Sequence, residues 1–372
     1  MKIAIVHDWF NEVGGSEKVV KEIIHCFPNA DVYCLFDFFD AEKRKNFLAE
    51  KKTKTSFIQN IPFAKRFYRF LFPLFPSAIE RLNLSAYDLI ISSSNCVAKG
   101  IKKNEKQLHI CYCHSPVRYA WDLKEEYLQT VKNPINRSIF SYFLNRLKKW
   151  DKKASNRVDF FIANSSNVKN RIKQNYGRES VVIYPPVDIE KFSINSDKSN
   201  YYFTVSRLVA YKKVELLIKA FEHFPQLKLQ IAGDGPNKKK LIQMAPPNVE
   251  ILGYVDRNAL VQKMKSAKAF IAAANEDFGI TVVEAQACGT PVIALNLGGY
   301  KETVLETTGL FFEDQSVDSL VNAIAAFENK NKKYEANDFI NNVKPFNINR
   351  FQKELLAFVN EKYSNFIDEQ HK

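Results

Sequence analysis

The chain has 372 residues, of which 46% are hydrophobic and 13% aromatic. That length exceeds one ordinary core and suits two domains of similar size, and that composition excludes a disordered chain. The 54 basic and 41 acidic residues leave a formal charge of +13, which calls for an acidic partner, with nucleic acid and an anionic membrane surface as the two candidates.

Met1-Lys2-Ile3-Ala4-Ile5-Val6 predicts a short apolar strand that runs straight into His7-Asp8-Trp9, which is not the pattern of a secretory leader. No run reaches the roughly 18 apolar residues that a membrane-spanning helix needs. The six cysteines fall mostly in apolar runs, and Cys111-Tyr112-Cys113 lacks a second metal-type pair. Reduced thiols packed in the core of a cytoplasmic protein follow from this. After the first strand come Gly14-Gly15 and a helix through Val19, Val20, Ile23 and Ile24. A Gly-Gly turn there is either a plain turn or a place where backbone approaches a phosphate closely. The absence of G-x-G-x-x-G excludes a dehydrogenase fingerprint.

Ala30 to Leu35 predicts the second strand. From Ser56 to Leu84, Phe57, Phe63, Phe67, Phe70 and Phe72 alternate with Lys65, Arg66, Arg69 and Arg81. This mixture suits a helix lying in a membrane interface, or a buried aromatic cluster edged by solvated charges. Stacking on single-stranded nucleic acid would use the same residue types, but no nucleic-acid motif accompanies them.

Tyr87 to Ser92 and His109 to Cys113 predict two further strands, the second ending at His114-Ser115-Pro116. A histidine just past a strand's carboxyl end stands where a cleft forms, although a single histidine is also an ordinary structural residue. Asn136 to Ala154 predicts a basic helix with Ile139, Phe140, Phe143, Leu144 and Leu147 opposite its charges. Asp159 to Ala163 predicts the last strand of the first half. Val181 to Ile183 follows, then Pro185-Pro186, which stiffens the chain and marks the hinge.

The second half opens on a strand at Tyr202 to Val205 that enters a loop carrying Arg207 and Lys212. Two cations between a strand end and a helix start would neutralise a diphosphate; as isolated charges they are simply solvated. Strands at Leu227 to Ala232 and Val249 to Leu252 lead to turns at Gly233-Asp234-Gly235 and Gly253-Tyr254-Val255. Ala269-Phe270-Ile271 ends a buried strand before Asn275-Glu276-Asp277 and the Phe278-Gly279 turn. A helix from about Ile280 to Cys288 is ended by Gly289 and Pro291, and Pro291 to Ala294 forms the next strand before Gly298-Gly299. Units of this kind build parallel sheets, with ligands beyond the carboxyl ends of the strands. Glu276 and Glu284 are either a loop charge and a solvated helix residue, or carboxylates beside N–H groups left free at the helix start, where an anion is stabilised and they would accept from sugar and ribose hydroxyls. Phe351, Leu355, Leu356, Phe358 and Val359 are spaced as a terminal helix.

The run Glu276-x-Phe278-Gly279-x4-Glu284-Ala285-x-Ala287-x-Gly289-x-Pro291-Val292-Ile293-Ala294, followed by Gly298-Gly299, resembles the donor-site signature of retaining, nucleotide-sugar-dependent glycosyltransferases. The branch is that of glycogen synthase and the bacterial mannosyltransferases. The resemblance covers Met1 to roughly Phe358. It implies an α/β chain of GT-B fold, two Rossmann-like doubly wound parallel-sheet domains facing a central cleft. Residues 1–185 would bind the acceptor, 186–348 the nucleotide sugar, and 349–372 would cross back onto the first domain.

By the same resemblance Arg207 and Lys212 hold the diphosphate, with Gly14 and Gly15 facing it. Phe278, Gly279 and Ile280 open the helix beside it. Glu276 holds the sugar hydroxyls and Glu284 the ribose, while Gly233, Tyr254 and Val255 line the nucleoside pocket. Tyr112-Cys113-His114-Ser115-Pro116-x-Arg118-Tyr119-Ala120-Trp121-Asp122 looks most like the branch that adds mannose to lipid-linked polysaccharide intermediates. It puts His114 beside the transferred sugar, and Arg118, Tyr119 and Trp121, with Asp8 and Trp9, near the acceptor. The implied catalytic set is His114, Arg207, Lys212 and Glu276.

The implied reaction moves a hexose, mannose from GDP-mannose, to a hydroxyl of a lipid-linked saccharide in O-antigen or lipopolysaccharide synthesis. The enzyme would sit peripherally on the anionic inner face of the cell membrane. No cofactor is required beyond the donor as substrate, no nucleic acid is expected as partner, and no Asp-x-Asp motif offers a metal site. The competing readings are a UDP-hexose or UDP-N-acetylhexosamine donor, a nucleotide-sugar epimerase of the same fold, and a basic membrane- or nucleic-acid-binding protein.

Overall fold

The computed structural model describes residues 1–329 and 333–371, which divide into two compact units. One is Met1–Pro186 with Asn349–Lys372, and the other is Val187–Ile348.

In the first unit the strands are β1 (Ile3–His7), β2 (Asp31–Cys34), β3 (Thr53–Thr55), β4 (Leu89–Ser94), β5 (Leu108–Cys113), β6 (Phe160–Ala163) and β7 (Ser180–Val182). They pair in parallel in the order β3-β2-β1-β4-β5-β6-β7. β4 and β5 are buried along their whole length, because both faces of a parallel sheet are covered. Side chains alternate across β1, so Ile5 joins one core and Ala4 and Val6 the other. The Ile5 side also takes Phe351, Leu355 and Val359 from the terminal helix Ile348–Gln370. Those three residues recur at one-turn spacing, which gives the helix the apolar stripe that it buries here.

The stretch from Ser56 to Leu84 is not the single interfacial helix that its composition suggests. It breaks into the short pieces Phe57–Asn60, Ala64–Phe67, Tyr68–Leu74 and Phe75–Glu80. Pro62, Pro73 and Pro76 interrupt the backbone donors that a continuous helix would use, and Phe63 sits at φ 59° where the chain turns.

The second unit contains β8 (Tyr201–Val205), β9 (Lys228–Ala232), β10 (Val249–Gly253), β11 (Ala269–Ala272), β12 (Val292–Leu295) and β13 (Gly309–Phe312). Their parallel order is β10-β9-β8-β11-β12-β13. In each sheet the strand order reverses once, between β1 and β4 and between β8 and β11. At such a reversal the following loops part to opposite faces and leave a crevice for a ligand.

All six cysteines are free, and five of them are buried. Burial pushes the Cys26 and Cys288 thiols up to about 12, so neither is a thiolate at neutral pH. Among the described residues no helix is long and apolar enough to cross a membrane.

Candidate active site

In the second unit the loop after β8 is anchored by the fully buried Leu208, whose N–H donates to the Asp234 carbonyl at 2.9 Å. This leaves Arg207 exposed on one side of the anchor and Lys212 half-buried on the other. The neighbouring loop after β9 passes so close that a Cβ on Gly233 would lie 1.9 Å from the Ser206 carbonyl oxygen, and Gly233 holds φ +134°. Only glycine permits that approach.

Across the reversal, Glu276 lies in the loop after β11. Gly299 clamps its backbone by donating N–H to the Glu276 carbonyl at 2.8 Å. A Cβ on Gly298, at φ +67°, would meet that same carbonyl at 2.3 Å. The Gly298-Gly299 turn therefore fixes the Glu276 loop. Phe278, buried and edge-on to Phe346 at 5.3 Å, pins its far end. Gly279 then precedes the helix Ile280–Ala287, whose first N–H groups lack carbonyls one turn back.

The Lys212 ammonium and the Glu276 carboxylate form an ion pair across the reversal. Each side chain keeps about a fifth of its surface exposed, 20% and 21%, so both charges remain within reach of a ligand. Glu284, further along the helix, is buried to 3% of its side chain. A carboxylate so deep needs a counter-charge. Arg257 supplies it with a two-pronged contact, Nη1 and Nη2 donating at 3.1 and 2.9 Å.

Arg257 did not emerge from the sequence. Its signal was a cation at a helix start, two positions past Val255, in the helix Arg257–Ser266. Tyr254, immediately before, is 82% exposed and offers its ring to solvent. Arg207, Lys212, Gly233, Tyr254, Val255, Glu276, Phe278 and Gly279 thus all stand in the connections at the carboxyl end of this one sheet, with Ile280 and Glu284 on the helix that follows.

In the first unit His7 ends β1, Ser93 lies in β4 and His114 follows β5. His114 Nε2 is 2.8 Å from Ser93 Oγ. Burial, with a smaller contribution from the neighbouring His7 ring, pushes the His114 imidazole down to about 3, so it is neutral at physiological pH. Gly14 and Gly15 are exposed at the start of the helix Gly15–Cys26. The Gly14 N–H donates to Glu17 Oε2 at 2.8 Å.

The residues expected near an acceptor divide by environment. The Asp8 carboxylate is 1% exposed and accepts from the backbone N–H groups of Asn95, Cys96, Val97 and Ala98 at 2.6–3.0 Å, so it shapes that loop. Trp9 stacks on Phe36 with ring centroids 5.8 Å apart. The Tyr119 hydroxyl lies 2.7 Å from Cys96 Sγ. The Trp121 indole donates to Asp151 at 2.9 Å. Asp151 is in turn fully buried against the Lys99 ammonium at 2.5 Å. Burial alone would lower Lys99, but the Asp151 carboxylate outweighs it and holds Lys99 above its ordinary range. Asp8 and Trp121 therefore spend their polar groups on the fold, and Arg118 remains half-buried beside them.

The chain has relatives among known proteins. Residues 13–191 match the family described as Glycosyltransferase Family 4, and residues 186–345 match glycosyl transferases group 1. An uncharacterised glycosyltransferase of Methanocaldococcus jannaschii is 24% identical over 334 residues, 86% of each chain. A GDP-mannose-dependent monoacylated alpha-(1-6)-phosphatidylinositol monomannoside mannosyltransferase of Corynebacterium glutamicum is 31% identical over 200 residues, 45% of this chain and 52% of that one. Among solved structures, Anabaena HepE in complex with UDP superposes with a TM-score of 0.71 at 19% identity, covering 97% of this chain and 100% of that one.

Proposed function

The chain is a group 1 glycosyltransferase of GT-B fold, and we propose that it is a retaining hexosyltransferase. In this reading it carries mannose from GDP-mannose to a hydroxyl of a lipid-linked saccharide during synthesis of a bacterial surface polysaccharide. The observation that carries the reading is the Lys212–Glu276 pair at the β8/β11 reversal, with Arg207 beside it and the helix Ile280–Ala287 opening there.

A diphosphate entering this place takes the Lys212 ammonium from Glu276. The freed carboxylate then accepts from sugar hydroxyls. Arg207 and the first N–H groups of the helix spread the remaining negative charge, which grows as the sugar leaves. Glu284, held by Arg257, accepts from the ribose, and the Tyr254 ring lies against the base. The bond from the anomeric carbon to phosphate breaks while the acceptor oxygen bonds to that carbon on the same face. A phosphate oxygen takes the acceptor proton, so no side chain forms a covalent intermediate. His114, neutral, positions the sugar, and Arg118, Tyr119, Trp121, Asp8 and Trp9 shape the acceptor side.

A peripheral membrane position suits the first unit's outer surface. Phe63 and Phe70 are 77% and 78% exposed, and Phe67 and Leu74 join them. Phe72 packs against Phe140 and Phe143 at 5.5 and 6.1 Å, which ties this segment to the helix Pro134–Ser155 and its exposed Ile135, Ile139 and Tyr142. Lys65, Arg66, Arg69, Arg137 and Arg146 are exposed on the same two segments, an arrangement fit for anionic lipid headgroups.

A second reading, with a UDP-sugar donor, is favoured by the UDP held in the Anabaena structure. Incubation with a panel of nucleotide sugars, read by nucleoside diphosphate release, separates the two. GDP from GDP-mannose is the expected product, UDP from a UDP-hexose supports the second reading, and release from no donor overturns both.

A further inference from the structure

We propose that a relay of buried side chains, Glu17–His7–Ser93, fixes His114 in the tautomer that carries its hydrogen on Nδ1. His114 then meets a bound ligand as a hydrogen-bond donor and not as a base. That the ligand is a sugar oxygen rests on the transferase reading above; the tautomer does not.

The polarity of the relay follows from one atom. His7 Nδ1 lies 3.1 Å from the Ser93 carbonyl oxygen and 3.1 Å from Ser93 Oγ. A carbonyl can only accept, so Nδ1 of His7 bears the hydrogen. The Ser93 hydroxyl is then free to turn its own hydrogen toward His114 Nε2, 2.8 Å away. In this polarity Nε2 of His114 accepts, and the single hydrogen of a neutral ring sits on Nδ1. The hydrogen bond made by one ring nitrogen decides what the other carries. Among the described residues Nδ1 of His114 has no protein partner, so it is the nitrogen available to a ligand. The reverse polarity would set a lone pair of His7 against the Ser93 carbonyl.

The far end of the relay is anchored in the glycine loop. His7 Nε2 is 3.4 Å from Glu17 Oε1. Glu17 Oε2 accepts from the Gly14 N–H at 2.8 Å and from the Ser16 hydroxyl at 3.0 Å. His7, Glu17, Ser93 and His114 are all 9% exposed or less, so water does not compete for these bonds. The relay thus couples the Gly14-Gly15 turn to the orientation of His114. Glu17, His7 and Ser93 are positioning residues, acting through His114.

The test is the 15N–1H correlation pattern of histidine rings in the full-length protein, with His114 assigned by its loss in His114→Gln. The wild-type ring is expected in the Nδ1–H form. Ser93→Ala and His7→Leu should move it toward the Nε2–H form that a neutral imidazole favours in water. His7→Asn, which keeps an amide N–H near the Nδ1 position, should retain it. With GDP-mannose or UDP-glucose as donor, Ser93→Ala and His7→Leu should lower kcat about 10- to 100-fold with KM little changed, and His7→Asn should restore most of it. Thermal unfolding checks that each variant is folded. An Nε2–H ring in the wild type, or an Nδ1–H ring that survives Ser93→Ala, overturns the relay. An Nδ1–H ring in a protein that turns over no nucleotide sugar supports the relay and sinks the transferase reading instead.

Discussion

At the reversal between β8 and β11 the second unit places opposite charges, Lys212 and Glu276, in a partly exposed pair. At the reversal between β1 and β4 the first unit places His7, Ser93 and His114 in a buried chain of hydrogen bonds, and His114 is held neutral. The topology is the same and the electrostatics differ. An exposed ion pair can be exchanged for a ligand's charges at small cost, because each partner is still partly solvated. A buried chain of hydrogen bonds cannot be exchanged and instead holds one geometry. On the proposed function, one unit would take up a charged diphosphate and the other would orient uncharged sugar groups.

The largest test removes the charged half of this contrast. Glu276→Ala should lower kcat roughly 10²- to 10³-fold in nucleotide-sugar turnover, the scale for losing one contact made in the transition state. The thermal midpoint should hardly move, since Glu276 is partly exposed. Full activity in that variant would count against the donor site. The next test concerns the outer surfaces, where the first unit has clustered aromatics and the second, among the described residues, has none arranged that way. A Phe63→Asp/Phe70→Asp double variant should bind vesicles of anionic phospholipid at least about tenfold more weakly than the wild type, because two rings lose burial and two negative charges meet the headgroups. Co-sedimentation reads this directly, and unchanged binding would move the membrane contact elsewhere.

Arg257→Ala probes the second unit at finer grain. Without the two-pronged contact, Glu284 loses its fixed orientation. KM for the nucleotide sugar should rise about tenfold with kcat little changed, as for an interaction equally present before and during reaction. A fall in kcat alone would place Glu284 nearer the reacting bond.

Much of this architecture was legible because strands and site residues share local patterns. Apolar runs such as Leu89-Ile90-Ile91 end in polar residues at the sheet's carboxyl edge, and Gly298-Gly299 announces a tight turn. Three edge strands escaped notice. Thr53-Lys54-Thr55 and Ser180-Val181-Val182 are short with an exposed centre, and Gly309–Phe312 opens on a glycine and is buried fully only at its two ends, so none carries a clear buried run. The 56–84 stretch has helical spacing of apolar residues, but three prolines override it. The site's pairings were illegible for another reason. Asp8 finds its four donors 87 to 90 positions away, Ser93 meets His7 across 86, and Arg257 meets Glu284 across 27. No periodicity encodes contacts that only the strand order creates.

The smallest expected effect sharpens the neutral half of the contrast through pH. His114 is pushed down to about 3 and His109 to about 4, each chiefly by burial; Asp159 and the Arg157 carbonyl partly offset this for His109. In the unfolded chain both take up a proton near 6.5. Between those limits the unfolded state binds more protons than the folded one, so stability rises with pH. Acidification from about 6.5 toward 4 should therefore lower the urea midpoint progressively, and conditions above neutrality should leave this contribution intact. His109 accepts or donates within 2.8 Å of Ser92 Oγ, deep between β4 and β5, while His114 lies at the strand end where a ligand would reach it. His114→Gln should then flatten the acid limb of the stability curve while His109 keeps its share, and transfer by the wild type should show no loss near pH 6 assignable to His114. An acid limb unchanged in His114→Gln would mean that the ring is solvated and protonates freely, and the two reversals would then be alike in holding charge.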